Sequence, residues 1–307
     1  MKEDVVAYFK SLQDSICKGL ELADGKAKFA EDNWTREGGG GGRTRVIQNG
    51  NVIEKGGVNF SEVFGEAPEF LKSEIKNQKS EKFFASGVSL VIHPQSPMVP
   101  IIHMNVRYLQ LGGAEWFGGG IDLTPIYVDE GDAAYFHQTL KAACGRFHPS
   151  FYPEFKKWAD DYFFIKHRNE TRGVGGIFFD HITPEYSPPN LGGDARGGIG
   201  FAQFFEFVMA VGNLFLPLYT HLIRKNKDKP FGEKEKQWQL LRRGRYAEFN
   251  LVYDRGTKFG LETSGRTESI LMSLPPQANW AYNFISEKNS AEEKTILLLR
   301  KGVEWVK

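Results

Sequence analysis

Three polar side chains that can bind and protonate an anion alternate along one short stretch of the chain. His103, Asn105 and Arg107 occupy every second position of the run 101–109. Successive side chains of a β-strand point to opposite faces, so these three are expected to share one face of a strand. They would span roughly 13 Å, the length of a flat multi-ring ligand rather than of a single phosphate. A histidine beside an amide and a guanidinium suits an anionic ligand; the alternative is a structural histidine satisfied by its neighbours.

The flanking residues extend this candidate site. Upstream, Ser89 and His93 share a face of another predicted strand, which Pro94 ends. Downstream, three glycines at 118–120 lead into an alternating run in which Asp122 points with Thr124. Glycine weakens a strand unless something must approach the backbone closely. Asp122 has two interpretations that the sequence leaves open: a structural ion pair with Arg107, or an acceptor for a ligand N–H.

A histidine metal site is the main alternative chemistry. Imidazoles can bind zinc, iron or manganese, and four of the seven histidines are candidates: His93, His103, His137 and His167. Their spacing matches neither a helical His-x-x-x-His motif nor a cysteine-containing zinc pattern. The chain also has no Gly-x-Ser-x-Gly elbow and no dinucleotide fingerprint after a strand.

The composition narrows the class of protein. In 307 residues, 39 Lys and Arg balance 38 Asp and Glu, so the net charge gives no sign of a nucleic-acid-binding surface. The two cysteines, Cys17 and Cys144, exclude a disulfide framework and indicate a reducing compartment. The N-terminus resembles neither a signal peptide nor a transit peptide. Polar residues interrupt the most apolar run, 201–218, which predicts a buried helix rather than a transmembrane segment. We expect one cytoplasmic domain over 1–307.

Hydrophobic periodicity and turn residues predict the elements that must position these side chains. The Asn49-Gly50 pair predicts a β-hairpin. The glycine run 38–42 is either a flexible loop or a backbone that closes over an anionic ligand near Arg43. The remaining predicted segments are helices at 4–22, 27–35, 68–82, 132–144, 152–168, 201–224, 233–243 and 292–306, strands at 176–182 and 246–253, a linker at 58–64 and a loop at 187–198.

Several longer motifs occur in a fixed order. They are GVSLVIHP, VPIIHMNVRYL, WFGGGIDLTP, KKWADDYFFIKHRNETRGVGGIFFD, YAEFNLVYDRGTKFGLE and GRTESILMSLPP. With these motifs the chain resembles the oxygen-dependent coproporphyrinogen-III oxidases, from about Gly38 to Ala281. The resemblance implies an α+β fold with three α/β/α layers, in which a large, rather flat antiparallel sheet lies between helices. It also implies a homodimer, with Tyr246 to Ala281 at the interface.

The resemblance assigns roles to residues at matching positions. His103 matches a proton donor, and Asp122 matches an acidic residue of catalysis, with Arg107 beside them. Substrate-binding positions match Ser89, Asn105, Val106, Arg107, Gly265 and Arg266. The four candidate histidines match metal ligands proposed for some bacterial members, although other members are regarded as metal-free. Ser264 stands where many members have glycine, so the resemblance gives that position no role.

The implied reaction converts two propionates of coproporphyrinogen III to vinyl groups with O2 and gives protoporphyrinogen IX in haem biosynthesis. Reduced tetrapyrroles react with O2 directly, so no cofactor besides O2 is expected, with a divalent metal as an open possibility. In this hypothesis Asp122 holds a pyrrole N–H and His103 manages the accompanying proton. It predicts that Asp122→Ala and Arg107→Ala lose turnover with little loss of folding. The alternatives are a non-catalytic tetrapyrrole carrier and a histidine-ligated metal-dependent oxygenase.

Overall fold

The computed structural model describes residues 1–67, 82–183, 200–262 and 265–306. Their helices are α1 (Lys2–Asp24), α2 (Glu130–Gly145), α3 (Phe151–Tyr162), α4 (Phe201–Asn226), α5 (Glu233–Val252), α6 (Arg255–Glu262), α7 (Thr267–Leu271) and α8 (Ala291–Leu298). Their strands are β1 (Ala30–Thr35), β2 (Gly40–Gln48), β3 (Ile53–Glu66), β4 (Lys82–Pro94), β5 (Ile101–Leu111), β6 (Ala114–Thr124), β7 (Phe164–Ile165), β8 (Glu170–Thr171) and β9 (Gly176–Ile182). A short 3₁₀ helix, Lys166–Arg168, connects β7 to β8.

Seven strands form one antiparallel sheet in the order β1-β2-β3-β4-β5-β6-β9. The predicted hairpin joins β2 to β3, and Asn49 takes the left-handed conformation that the turn requires, with φ 57°. Asp24, at the end of α1, accepts backbone N–H bonds from Val52 and Ile53 at 2.9 and 2.8 Å. This side chain therefore ties the hairpin to the first helix.

The alternation predicted for β5 is confirmed, and it sets the two faces of the sheet. One face carries the fully buried apolar side chains Ile102, Met104, Val106 and Tyr108. They pack in the main core with residues of α1 and α4. The opposite face carries His103, Asn105 and Arg107 and lies beneath α5, α6 and α7. Helices thus cover both faces of a large antiparallel sheet, which is the α+β architecture expected from the sequence.

Helix α4 is long and apolar enough to cross a membrane by length and composition alone. It contacts α1 and the strands β5 and β6 instead, and its side chains Phe204, Phe207 and Phe215 are buried in the main core. The prediction of a buried helix in this segment is therefore confirmed.

Two predicted elements are of the wrong type. Residues 246–253, predicted as a strand, continue helix α5 to Val252. Ala247, Phe249 and Leu251 do alternate with polar residues, but Leu251 is exposed, whereas Tyr246 and Phe249 are buried at helical spacing. Residues 27–35, predicted as a helix, contain strand β1 at the edge of the sheet, where pairing with β2 decides the conformation.

Other predicted segments differ from the observed elements in their boundaries. The linker 58–64 belongs to β3, and Gly40–Gly42 of the glycine run belong to β2 rather than to a loop. A Cβ atom at Gly42 would lie 2.3 Å from the ring of Trp34, so only glycine allows this close strand packing. Helix α3 ends at Tyr162 and α8 at Leu298, both earlier than predicted. The loop 187–198 and all but the last residue of the helix 68–82 lie outside the described residues.

Candidate active site

A cavity of about 330 Å³ lies between the polar face of the sheet and the helices that cover it. Its volume is at the lower end of the range for small-molecule sites, about 300–1,000 Å³. The sheet contributes Asn59, Ser61, Ser89, His103, Asn105, Arg107, Gly119 and Gly120. The other polar or aromatic lining residues include Tyr162, Phe163, Arg172, Phe178, Tyr246, Asn250, Asp254, Thr257, Ser269 and Ser273.

A buried chain of hydrogen bonds holds His103 at one end of this cavity. His103 Nδ1 donates to Asp122 Oδ1 at 2.7 Å, and the two residues are direct partners on β5 and β6. Arg172 Nη2 donates to both oxygens of the same carboxylate, at 2.8 and 2.7 Å. Asp122 is 1% exposed and Arg172 3%, whereas the His103 side chain is 23% exposed toward the cavity. These hydrogen bonds use His103 Nδ1 and therefore leave His103 Nε2 available to a ligand.

Burial alone would raise the pKa of Asp122, but the charge of Arg172 and the hydrogen bond from His103 outweigh it. Together they hold the pKa of the Asp122 carboxyl below its usual value. Asp122 thus stays ionised beneath the cavity. An ionised acceptor on Nδ1 fixes the orientation and tautomer of the imidazole.

Arg172 is the functional candidate that sequence reasoning missed. Its guanidinium lies 4.4 Å from the ring centroid of Phe163 and 4.7 Å from those of Tyr246 and Phe249. Its Nη1 donates to Asn250 at 2.9 Å. The sequence offered one signal, an arginine directly before a glycine, which also occurs at Arg255. Its partner Asp122 is 50 residues distant in the chain, so only the fold brings the two together.

Arg107 lies at the other end of the row on β5. Its Nη1 donates to Asn105 Oδ1 at 2.9 Å, and its Nη2 pairs with Asp180 Oδ2 at 2.8 Å. Ser89 is the strand partner of Asn105, so both line the same part of the cavity. Asp122 forms its ion pair with Arg172, whereas Arg107 forms its ion pair with Asp180.

Three residues assigned by resemblance lie elsewhere. The side chain of Val106 points into the apolar core on the opposite face. Arg266 precedes helix α7 and forms an ion pair with Asp32 of β1, outside the cavity lining. Gly265 donates its N–H to the carbonyl of Gly260 at 2.8 Å, and Gly260 itself lines the cavity. Gly265 and Arg266 therefore lie next to the cavity wall.

The four candidate histidines do not form one ligand set. His93 is buried and donates from Nε2 to the carbonyl of Ser273, and burial lowers its pKa to about 3. His137 is buried against Tyr152 and the carbonyl of Val174, and burial lowers its pKa to about 4. His167 contacts Glu248 and Tyr253 near the surface. Within the described ranges, no three His, Cys, Asp or Glu side chains are grouped closely enough to hold a metal ion.

The chain was compared with known proteins and families. The family described as Coproporphyrinogen III oxidase matches residues 4–305. Oxygen-dependent coproporphyrinogen-III oxidases of Prochlorococcus marinus strains NATL2A and NATL1A are 49% and 48% identical over 306 residues, which are 96% of this chain and 88% of each relative. The protein of the same name from strain MIT 9301 is 47% identical over 308 residues, with 96% and 90% covered. The chain therefore belongs to the coproporphyrinogen III oxidase family.

Proposed function

We propose that this chain catalyses the aerobic oxidative decarboxylation of coproporphyrinogen III to protoporphyrinogen IX, as an oxidoreductase of haem biosynthesis. The observation that carries the proposal is the arrangement of the cavity. A histidine on a buried ionised carboxylate lies two strand positions from Asn105 and four from Arg107, all on one lining face. This places a proton-handling group and a planar carboxylate-binding group along one side of a slot.

The substrate carries several carboxylates on a macrocycle, and Arg107 offers planar, permanently charged donors to one of them. Ser89 and Asn105 add hydrogen-bonding groups along the same wall. The bare backbone at Gly119 and Gly120 allows a flat ring to approach the sheet closely. We propose that these five residues bind the substrate, and that Gly265 and Arg266 contribute from the edge of the site.

In the reaction, each propionate loses CO2 and one hydrogen from its β-carbon, and two electrons pass to O2. His103 holds or transfers the accompanying proton from the imidazole atom that faces the cavity. We propose that Asp122 positions His103, because it is buried and bonded to His103 and Arg172. The direct pyrrole contact of Asp122 expected from the sequence stays a prediction.

The remaining parts of the proposal concern cofactor, assembly and compartment. We propose that O2 is the oxidant without a resident metal, since His93 and His137 are each bonded inside the core. We propose a single-domain, cytoplasmic homodimer with Tyr246 to Ala281 at the interface. Exposed Leu251 and Trp280, at 51% and 56%, lie in that segment and support an interface there.

The test is turnover of anaerobically prepared coproporphyrinogen III, followed by the fluorescence of the oxidised products after separation. On admitting air, we expect conversion to protoporphyrinogen IX with release of CO2, and no conversion without air. A chelator should leave the rate unchanged, because the candidate histidines do not converge in the described chain.

The same assay distinguishes the alternatives. A carrier would bind the porphyrinogen but consume no O2, and a metal-dependent oxygenase would lose activity on chelation. Either result would contradict the corresponding part of the proposal.

A further inference from the structure

An aspartate outside the cavity lining forms an ion pair with Arg107. Asp180 Oδ2 lies 2.8 Å from Arg107 Nη2, and both side chains are 29% exposed. Arg107 lines the cavity, whereas Asp180 is outside its lining. With Asn105 accepting from Nη1 and Asp180 paired with Nη2, two of the three guanidinium nitrogens have partners in the described part of the chain.

Strand alternation places Asp180 on the same face of β9 as the cavity-lining Phe178, and a β-bulge lies at this point of the strand. The pairing of β6 with β9 shifts register between Phe117 and Gly119, opposite Asp180 and His181. His181 has φ 50°, a conformation that is strained for a residue with a side chain. Its ring stacks on Trp116, with centroids 4.6 Å apart and planes at 12°. Bulges are frequent next to functional sites, and the stack stabilises this one.

Gly118 leaves space for the ion pair between Asp180 and Arg107. It is the strand partner of Arg107. A Cβ atom there would lie 2.5 Å from Asp180 Oδ1 and 2.9 Å from Arg107 Nε. The ion pair therefore lies directly on the bare backbone of this glycine, which explains the first glycine of the run 118–120.

We propose that Asp180 is a positioning residue of the substrate site. It fixes the Arg107 guanidinium over Gly118. The N–H donors of the guanidinium are therefore already oriented when a propionate carboxylate binds. A free arginine would have to lose its rotamer freedom during binding, whereas here that freedom is lost during folding. This inference rests on the proposed function, because it names the group that orients its carboxylate-binding arginine.

The experiment measures KM and kcat for coproporphyrinogen III with Asp180→Asn and Gly118→Ala. The second variant leaves the charge unchanged but displaces the pair. We expect both to raise KM about 2- to 12-fold, the range for one side chain that must be ordered on binding, while kcat changes less. In an Arg107→Ala background, Asp180→Asn should raise KM no further. Asp14→Asn is the matched control, since Asp14 bridges Arg43 and Arg45 outside the cavity lining.

Three outcomes would overturn the inference. One is an unchanged KM in Asp180→Asn. Another is a lower KM, which would mean that the aspartate mainly repels substrate carboxylates. The third is an equal rise in KM with and without Arg107, particularly if it follows a loss of thermal stability, as expected for a purely structural ion pair. Failure of the proposed function is distinguishable from these, because the wild-type chain would then show no turnover.

Discussion

Asp122→Asn is expected to reduce kcat by about 10²- to 10⁴-fold, the usual contribution of a positioned acid–base group. The amide keeps the shape of the side chain but removes the charge that orients His103. In the proposed site the substrate is bound by groups elsewhere in the cavity, so KM should change much less than kcat. Steady-state rates of product formation in air measure both quantities.

The structure also revises the expectation for folding. Removing the Asp122 charge leaves the buried Arg172 guanidinium without its anionic partner. Breaking a buried ion pair in this way costs about 3–5 kcal/mol, so single variants at Asp122 should be clearly less stable than the wild type. The sequence alone predicted little loss of folding, because Arg172 was not recognised as the partner.

A double variant separates the two effects. Asp122→Asn with Arg172→Met removes both charges, so the free energy of unfolding should recover relative to Asp122→Asn. Turnover should stay low, because His103 still lacks its ionised acceptor. Recovery of turnover together with stability would mean that Asp122 serves the fold only, and the positioning role would be wrong.

His103→Gln is expected to lower kcat by about 10²- to 10³-fold with little change in stability. Glutamine can still donate a hydrogen bond to Asp122, but it cannot hold or transfer a proton. The side chain is partly exposed to the cavity, so its replacement leaves no buried void. His221→Gln is a matched control, since His221 is exposed and contacts Tyr135 outside the cavity lining. A His103→Gln variant with near-normal kcat would contradict the role assigned to the imidazole.

The parts of the site that could be predicted from the sequence are those set by strand alternation. A period of two in 101–109 is a local property, and it placed His103, Asn105 and Arg107 on one face before any contact was known. The same local signal failed at 246–253, where alternation and helical spacing coexist in a short apolar run. In this segment the tertiary contact of Phe249 with Phe163 favours the helix over the strand.

The ion pairs that orient these side chains could not be predicted, because they join distant parts of the chain. The sequence offered Arg107 as the cationic partner of Asp122, and only the fold brings Arg172 within 2.7 Å. Asp180 faces Arg107 because it shares a strand face with the cavity-lining Phe178, but only the fold places β9 beside β6. Arg266 was assigned by resemblance alone, and its contact with Asp32 depends on how α7 lies against β1.

The most direct test of the central claim is a crystal structure of the chain with coproporphyrin III, the stable oxidised form of the substrate, used as a probe. We expect the macrocycle in the cavity beside β5, with a propionate carboxylate bonded to Arg107 and the ring near His103 Nε2. A macrocycle bound in another part of the molecule, with no contact to Arg107 or His103, would contradict the account.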